Sequence, residues 1–196
     1  MDIHRAYSLL QSDLKAYRPD LRLSSPLYAA LVLLTALLRC RDFRLNYLVR
    51  LQSARIPVIS RICHALIFYF YGSTIDPCSS LHAPIRFVHA RNVVIGKHVI
   101  MSGQCVLIFH NVTLGKLHPG EPSEPGSMPV LQGPIILGSG ATVLGRVSVA
   151  PHVVFGASSL CTLSQVPPNT TLVAFNLKHE GVYYGTNFLD VLRPAF

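Results

Sequence analysis

A mainly β solenoid preceded by a short α-helical region is the fold class this sequence predicts, on three observations. From Ile75 onward an apolar residue recurs at every sixth position. The helical periodicity of the first seventy residues stops at the same place. A proline-rich stretch then interrupts the repeat once, as a loop ejected from one coil does. A period of six matches neither the 3.6 of a helix nor the 2 of an isolated strand. It is the spacing of short strands joined by tight corners, each sixth residue stacking inward on its equivalents in neighbouring coils. Half of the 196 residues are hydrophobic and 13% are charged, enough to bury a sizeable core.

The first 73 residues form the helical region. The pattern predicts helices over 4–17, from Pro26 to about Leu38, over Phe43–Arg55 and from Arg61 to Tyr71. Pro26 suits a first-turn position, and Phe43, Tyr47 and Leu51 fall on one face of the third helix. The apolar run Leu27–Leu38 would reach roughly 18 Å as a helix, where a bilayer core needs about 30 Å, so a membrane span is not expected. This region carries ten Lys/Arg against four Asp, whereas residues 74–196 carry seven against five acidic residues. Arg39, Arg41, Arg44, Arg50, Arg55 and Arg61 crowd an otherwise apolar stretch. Peripheral attachment to an anionic membrane surface is therefore one expectation, with no nucleic-acid partner. The start is polar and of mixed charge, unlike a cleavable signal. Five cysteines without a CxxC pair suit a reducing cytoplasm.

The solenoid is expected over 74–173, with 174–196 as a C-terminal tail. Counting in sixes from Leu137 gives Val143, Val149, Phe155 and Cys161. The next residues are Gly138, Leu144, Ala150 and Gly156, and the fifth of each unit is Ala141, Val147, Val153 or Ser159. Earlier units run Ile75, Leu81, Phe87 and Ile95, Met101, Leu107, the frame slipping between Phe87 and Ile95 and again before Leu114. Residues 116–129, with four prolines, are the ejected loop, and loops on rigid scaffolds often carry function.

Several motifs lie on this frame: His89-Ala90 then Val94-Ile95-Gly96; Phe109-His110-Asn111-Val112-Thr113-Leu114-Gly115; Leu137-Gly138-Ser139-Gly140-Ala141; Val143-Leu144-Gly145; Phe155-Gly156-Ala157-Ser158-Ser159; and Val166-Pro167-Pro168-Asn169-Thr170-Thr171. With them, segment 71–173 resembles the serine acetyltransferase group of hexapeptide-repeat acyltransferases, including its relatives in surface-polysaccharide synthesis. Phe43-Arg44-Leu45 and Tyr71-Gly72 look more like the polysaccharide branch. The resemblance implies a left-handed parallel β-helix, an exception to the usual crossover hand. It also implies acetyl-CoA as co-substrate, no metal, and a homotrimer with active sites between subunits. Dimers of trimers through the helical region stay open.

Acetyl transfer to an alcohol needs a base for the hydroxyl proton and donors for the oxyanion. His89 aligns with the group's catalytic histidine; two residues after the inward Phe87, it should sit near a corner, open to the groove. The group's orienting carboxylate falls at Thr74. Asp76 could replace it or could simply be a corner residue, and the sequence leaves both open. Gly115, Ser139 and Ala157 align with small residues beside the acetyl-CoA thiol arm, and Lys178 with a basic nucleotide-phosphate contact. Where serine acetyltransferases place Asp-Arg-His-Pro, this chain has Gly126-Ser127-Met128-Pro129. A serine carboxylate would lack its cation there. The favoured acceptor is therefore a sugar hydroxyl of a surface polysaccharide or its lipid-linked precursor, with serine second. Two other classes remain: a zinc-dependent anhydrase drawing on His82, His89, His98, His110, His118 or His152, and a non-catalytic repeat scaffold.

Overall fold

The computed structural model describes residues 3–21, 25–54, 56–118, 120, 124–173 and 177–180. Four helices come first: α1 Ile3–Tyr17, α2 Pro26–Arg39, α3 Arg41–Ser53 and α4 Pro57–Tyr71. The Ser25 hydroxyl caps α2 by accepting the Tyr28 N–H at 3.2 Å, satisfying one of the orphan donors of a helix start. Gly72 ends α4 in the left-handed region at φ 60° and donates its N–H to the Phe68 carbonyl.

Short strands follow: β1 Thr74–Ile75, β2 Ser80–Leu81, β3 Ile85–Val88, β4 Val94–Ile95, β5 Ile100–Phe109, β6 Thr113–Gly115 and β7 Val130–Leu137. Then come β8 Thr142–Leu144, β9 Ser148–Val149, β10 Val153–Phe155, β11 Leu160–Cys161, β12 Gln165–Val166, β13 Thr170–Val173 and β14 Leu177–Glu180. All pair in parallel except β14, which runs antiparallel to β13.

The registers sort the parallel strands into three stacks. One aligns Ile75, Ile95, Leu114, Val143 and Cys161. The next aligns Leu81, Met101, Leu131, Val149 and Val166. The last aligns Phe87, Ile108, Leu137, Phe155 and Leu172. Each of these fifteen side chains is 4% exposed or less, and burying one contributes about 1.5–3 kcal/mol. The long strands β5 and β7 pass through two stacks each, which joins them into one sheet.

The six-residue frame holds with one correction. Counting from Met101 points to Leu107, but Ile108 stacks between Phe87 and Leu137. The register shifts between Gly103 and Val106, a bulge of one extra residue that moves the inward position along by one. Leu107 instead packs with Ile136 and Val154 in a separate apolar cluster.

The corner preceding the first stack is built on left-handed residues. Gly72, Asn92, Asn111, Gly140 and Ser158 all have φ between 53° and 72°, and each stands two residues before its strand. Asn accepts this conformation better than most residues. The Asn92 side-chain amide also donates to Asn111 Oδ1 at 3.1 Å, tying adjacent coils.

The helices close the lower end of the stacks, where the first coil has no strand beneath it. Polar side chains from α1 and α3 take the place of that strand. Arg50 forks onto Asp13 at 2.7 and 2.8 Å and donates to the carbonyls of Leu81 and Ala83. Asp13 also accepts the Ile85 N–H at 2.7 Å, and the Asn46 amide donates to the Ile85 carbonyl. The Tyr17 hydroxyl accepts the Phe87 N–H at 2.9 Å and donates to Asn46, while the Gln52 amide donates to the Ile75 carbonyl. Covering an open edge in this way satisfies backbone groups that would otherwise be buried without partners. Two sequence expectations change as a result. Arg50 is 2% exposed and cannot belong to a membrane-facing arginine cluster, while Arg55 lies outside the described residues. Helix α3 buries more than the Phe43 face: Leu45 and Val49 join the core of the coils, while Phe43 packs with α1 and α2.

Candidate active site

The third stack meets the first at a corner whose shape depends on a count of residues. In later coils six residues separate the stacked positions, as from Ile108 to Leu114, Leu137 to Val143 and Phe155 to Cys161. From Phe87 to Ile95 there are eight. The two additional residues swell the corner outward, and His89 sits on the swelling, exposed, with φ 55°. Left-handed backbone is uncommon for a histidine and is retained where surrounding structure enforces it.

That enforcement comes from Asp42 in the first turn of α3. Its two carboxylate oxygens accept the N–H groups of His89 and Ala90, each at 3.0 Å. The extended corner has two donors to satisfy, and one carboxylate takes both. Sequence reasoning did not single out Asp42, because 47 residues separate it from His89.

His110 occupies the equivalent corner one coil on, since Val88 pairs with Phe109. The two imidazole rings lie edge to face with centroids 6.2 Å apart. One coil further, Ser139 places its hydroxyl 3.4 Å from His110 Nδ1. Ala157 follows at the next level, two residues after Phe155, which pairs with Leu137. His89, His110, Ser139 and Ala157 therefore climb one edge of the stacks. Among the described residues, no three His, Cys, Asp or Glu side chains converge as a metal site.

The other residues named from sequence lie elsewhere. Asp76 and Gly115 stand one position beyond Ile75 and Leu114, at the corner after the first stack. Asp76 Oδ1 accepts the Cys78 N–H at 2.7 Å, and its carbonyl accepts from Ser79, the bonding of a corner residue. Thr74 lies exposed in β1. Lys178 falls in β14, with its side chain outside the described set. In the loop, Ser127 bonds locally to Glu124 at 2.9 and 3.2 Å. Met128 is 1% exposed and belongs to the core; a β-carbon on Gly96 would meet its terminal methyl at 2.8 Å. Met128 thus fills space under the loop and leaves its surface.

Parallel strands stacked in three columns with one ejected loop, behind four helices, form a repeat architecture, and comparison with known proteins places it in a family. No family model matches the chain. The serine acetyltransferase of Synechococcus elongatus is 36% identical over 124 residues, covering 63% of this chain and 48% of the relative. That of Helicobacter pylori is 32% identical over 129 residues, covering 65% of this chain and 72% of the relative. The soybean serine acetyltransferase complexed with serine superposes with a TM-score of 0.67 at 25% identity, covering 90% of this chain and 69% of that structure. The chain belongs to the serine acetyltransferase family of hexapeptide-repeat acyltransferases. It spans about half the length of the first curated relatives it matches.

Proposed function

We propose that this protein is an O-acetyltransferase that uses acetyl-CoA, with His89 as general base for the accepting hydroxyl. The observation that carries the reading is the His89 corner: an exposed imidazole on a backbone held by Asp42, in a chain of this family. A direct attack needs no covalent enzyme intermediate. His89 takes the hydroxyl proton as the oxygen bonds to the acetyl carbonyl, and coenzyme A leaves as its thiol. Ser139 and Ala157, small residues on the same edge, leave room for the thioester arm to approach backbone N–H groups that can stabilise the oxyanion. Asp76 is better supported as a corner residue than as the partner of His89.

The relatives are named for serine, which makes L-serine the first acceptor to test. A sugar hydroxyl is the second reading, and one observation favours it. The positions given to the Arg-His pair hold Ser127, which bonds to Glu124, and Met128, whose side chain is buried in the core, so neither supplies a cation. We further infer that the coils wind left-handed and that the chain assembles as a homotrimer. In that assembly the His89 edge of one chain would face the Gly115 corner of its neighbour, giving the proposed groove two walls.

Thiol release from acetyl-CoA tests this reading. L-serine should support turnover in wild type, and His89→Ala should lower it by about 10²–10⁴-fold with little change in acetyl-CoA affinity. Turnover with a hexose-containing glycan and none with serine would select the second reading. An unchanged His89→Ala rate would remove His89 as the base.

A further inference from the structure

Away from the His89 corner, α2, α3 and α4 enclose a groove of about 400 Å³ lined by Leu37, Leu48, Leu66, Phe70 and the rings of Tyr47 and Tyr71, with Arg41 and Arg44 beside them. Apolar surface continues out of it along both outer helices. On α2, Leu27, Leu31, Leu34 and Leu38 recur at helical spacing and are 54–82% exposed; on α4, Val58, Ile62, Tyr69 and Phe70 are 54–81% exposed. Phe70 belongs both to the groove and to this surface, and Leu38 adjoins Leu37. A monomer rarely leaves so much contiguous apolar area in water.

The charges around it have one sign. Arg39, Arg41, Arg44 and Arg61 are exposed, and Asp42 is the only acidic residue between positions 25 and 73. Both Asp42 oxygens are committed to His89 and Ala90. Among the described residues no carboxylate pairs with Arg41 or Arg44. An apolar channel with unneutralised guanidiniums beside it matches a ligand with a hydrocarbon chain and an anionic head. Among the described residues no helix is long and apolar enough to cross a membrane, and the groove and exposed leucines would meet such an occupant at the protein surface.

We propose that this groove and the flanking faces of α2 and α4 dock the chain on an anionic lipid bilayer, with Arg41 and Arg44 on lipid phosphates and the exposed leucines among the upper acyl chains. Guanidinium forks suit phosphate oxygens, and apolar burial supplies the second signal that stable peripheral attachment needs. Helix α3 carries Arg41 and Arg44 toward the lipid and Asp42 toward His89, so docking would set the His89 corner close to the membrane. The inference stands whichever hydroxyl is acetylated.

The test is sedimentation of the full chain with phosphatidylglycerol–phosphatidylcholine vesicles and with phosphatidylcholine alone, at low salt. Binding should require the anionic lipid. Arg44→Gln should weaken it about fivefold, the loss expected for one basic contact at such a surface; Arg41 is a poorer probe because its guanidinium also sits 5.9 Å over the Tyr71 ring. Leu31→Ser with Leu38→Ser should abolish sedimentation while thiol release with a soluble acceptor stays at the wild-type rate. His89→Ala should bind vesicles like wild type, so loss of the acetyltransferase reading would not touch this one. Equal sedimentation of wild type, Arg44→Gln and the double leucine variant would overturn the proposal. So would absent vesicle binding, including the case where light scattering shows the leucine variant losing subunits and the face is an interface between copies.

Discussion

The helical end and the coils bury their backbones in opposite ways. Inside the coils, aliphatic and aromatic columns fill the centre and each strand finds its hydrogen bonds in the coils above and below. At the helical end there is no coil below, and Asp13, Tyr17, Asn46, Arg50 and Gln52 supply the bonds instead. The coils should therefore tolerate a change of apolar shape better than the cap tolerates a missing polar atom. An apolar truncation costs in proportion to the cavity it leaves, whereas a broken polar cap leaves a buried charge or backbone group without a partner.

Removing one half of the buried ion pair should show this most strongly. Arg50→Ala or Asp13→Ala is expected to cost about 3–5 kcal/mol, read as a drop in the urea midpoint of unfolding. Leu131→Ala, in the middle of the second stack, should cost about 2–5 kcal/mol in the same titration. A leucine cost clearly above the arginine cost would reverse the contrast. Tyr17→Phe keeps the ring and deletes the hydroxyl that receives the Phe87 N–H, for about 1–3 kcal/mol.

The smallest effect is a pH dependence at the cap's margin. Partial burial, and then the nearby charge of Arg5, hold the His82 imidazole below the usual histidine range. The unfolded chain therefore takes up this proton first. His82 contributes its full stability above the ordinary value of 6.5 and loses it as pH falls through and below that value. Because the group is largely exposed, the loss is small. It should be visible as a shallower fall in melting temperature between neutral and mildly acidic pH in His82→Gln than in wild type.

Legibility in the sequence follows the same division. The columns could be read because every sixth residue had to be apolar, and the run from Leu137 to Cys161 coincides with the observed registers. The extra residue showed as a slip of the frame before Leu114, but its place between Gly103 and Val106, which puts Ile108 rather than Leu107 in the stack, left no compositional mark. The cap could not be read, since a polar residue on a helix ordinarily implies solvent; Arg50 counted as a surface cation until its partners 31 to 37 residues away were known. At the candidate site, the histidine was visible through resemblance, while the Asp42 clamp and the His110 neighbour needed the three-dimensional register. One signal was available. The eight-residue spacing from Phe87 to Ile95 already marked a corner with donors to satisfy.

The most direct measurement is the acetyl-transfer rate of Asp42→Ala, alone and combined with His89→Ala. The Asp42 carboxylate accepts the His89 and Ala90 N–H groups, so its loss should lower kcat, by on the order of 10²-fold if the imidazole shifts by about 1 Å. The Michaelis constant for acetyl-CoA should change little, and Asp42→Asn should restore part of the rate. The double variant should be no slower than His89→Ala, because a base that has been removed cannot be misplaced. A wild-type kcat in Asp42→Ala, or a double variant slower than His89→Ala by the full Asp42 factor, would contradict the claim that the helical cap positions His89.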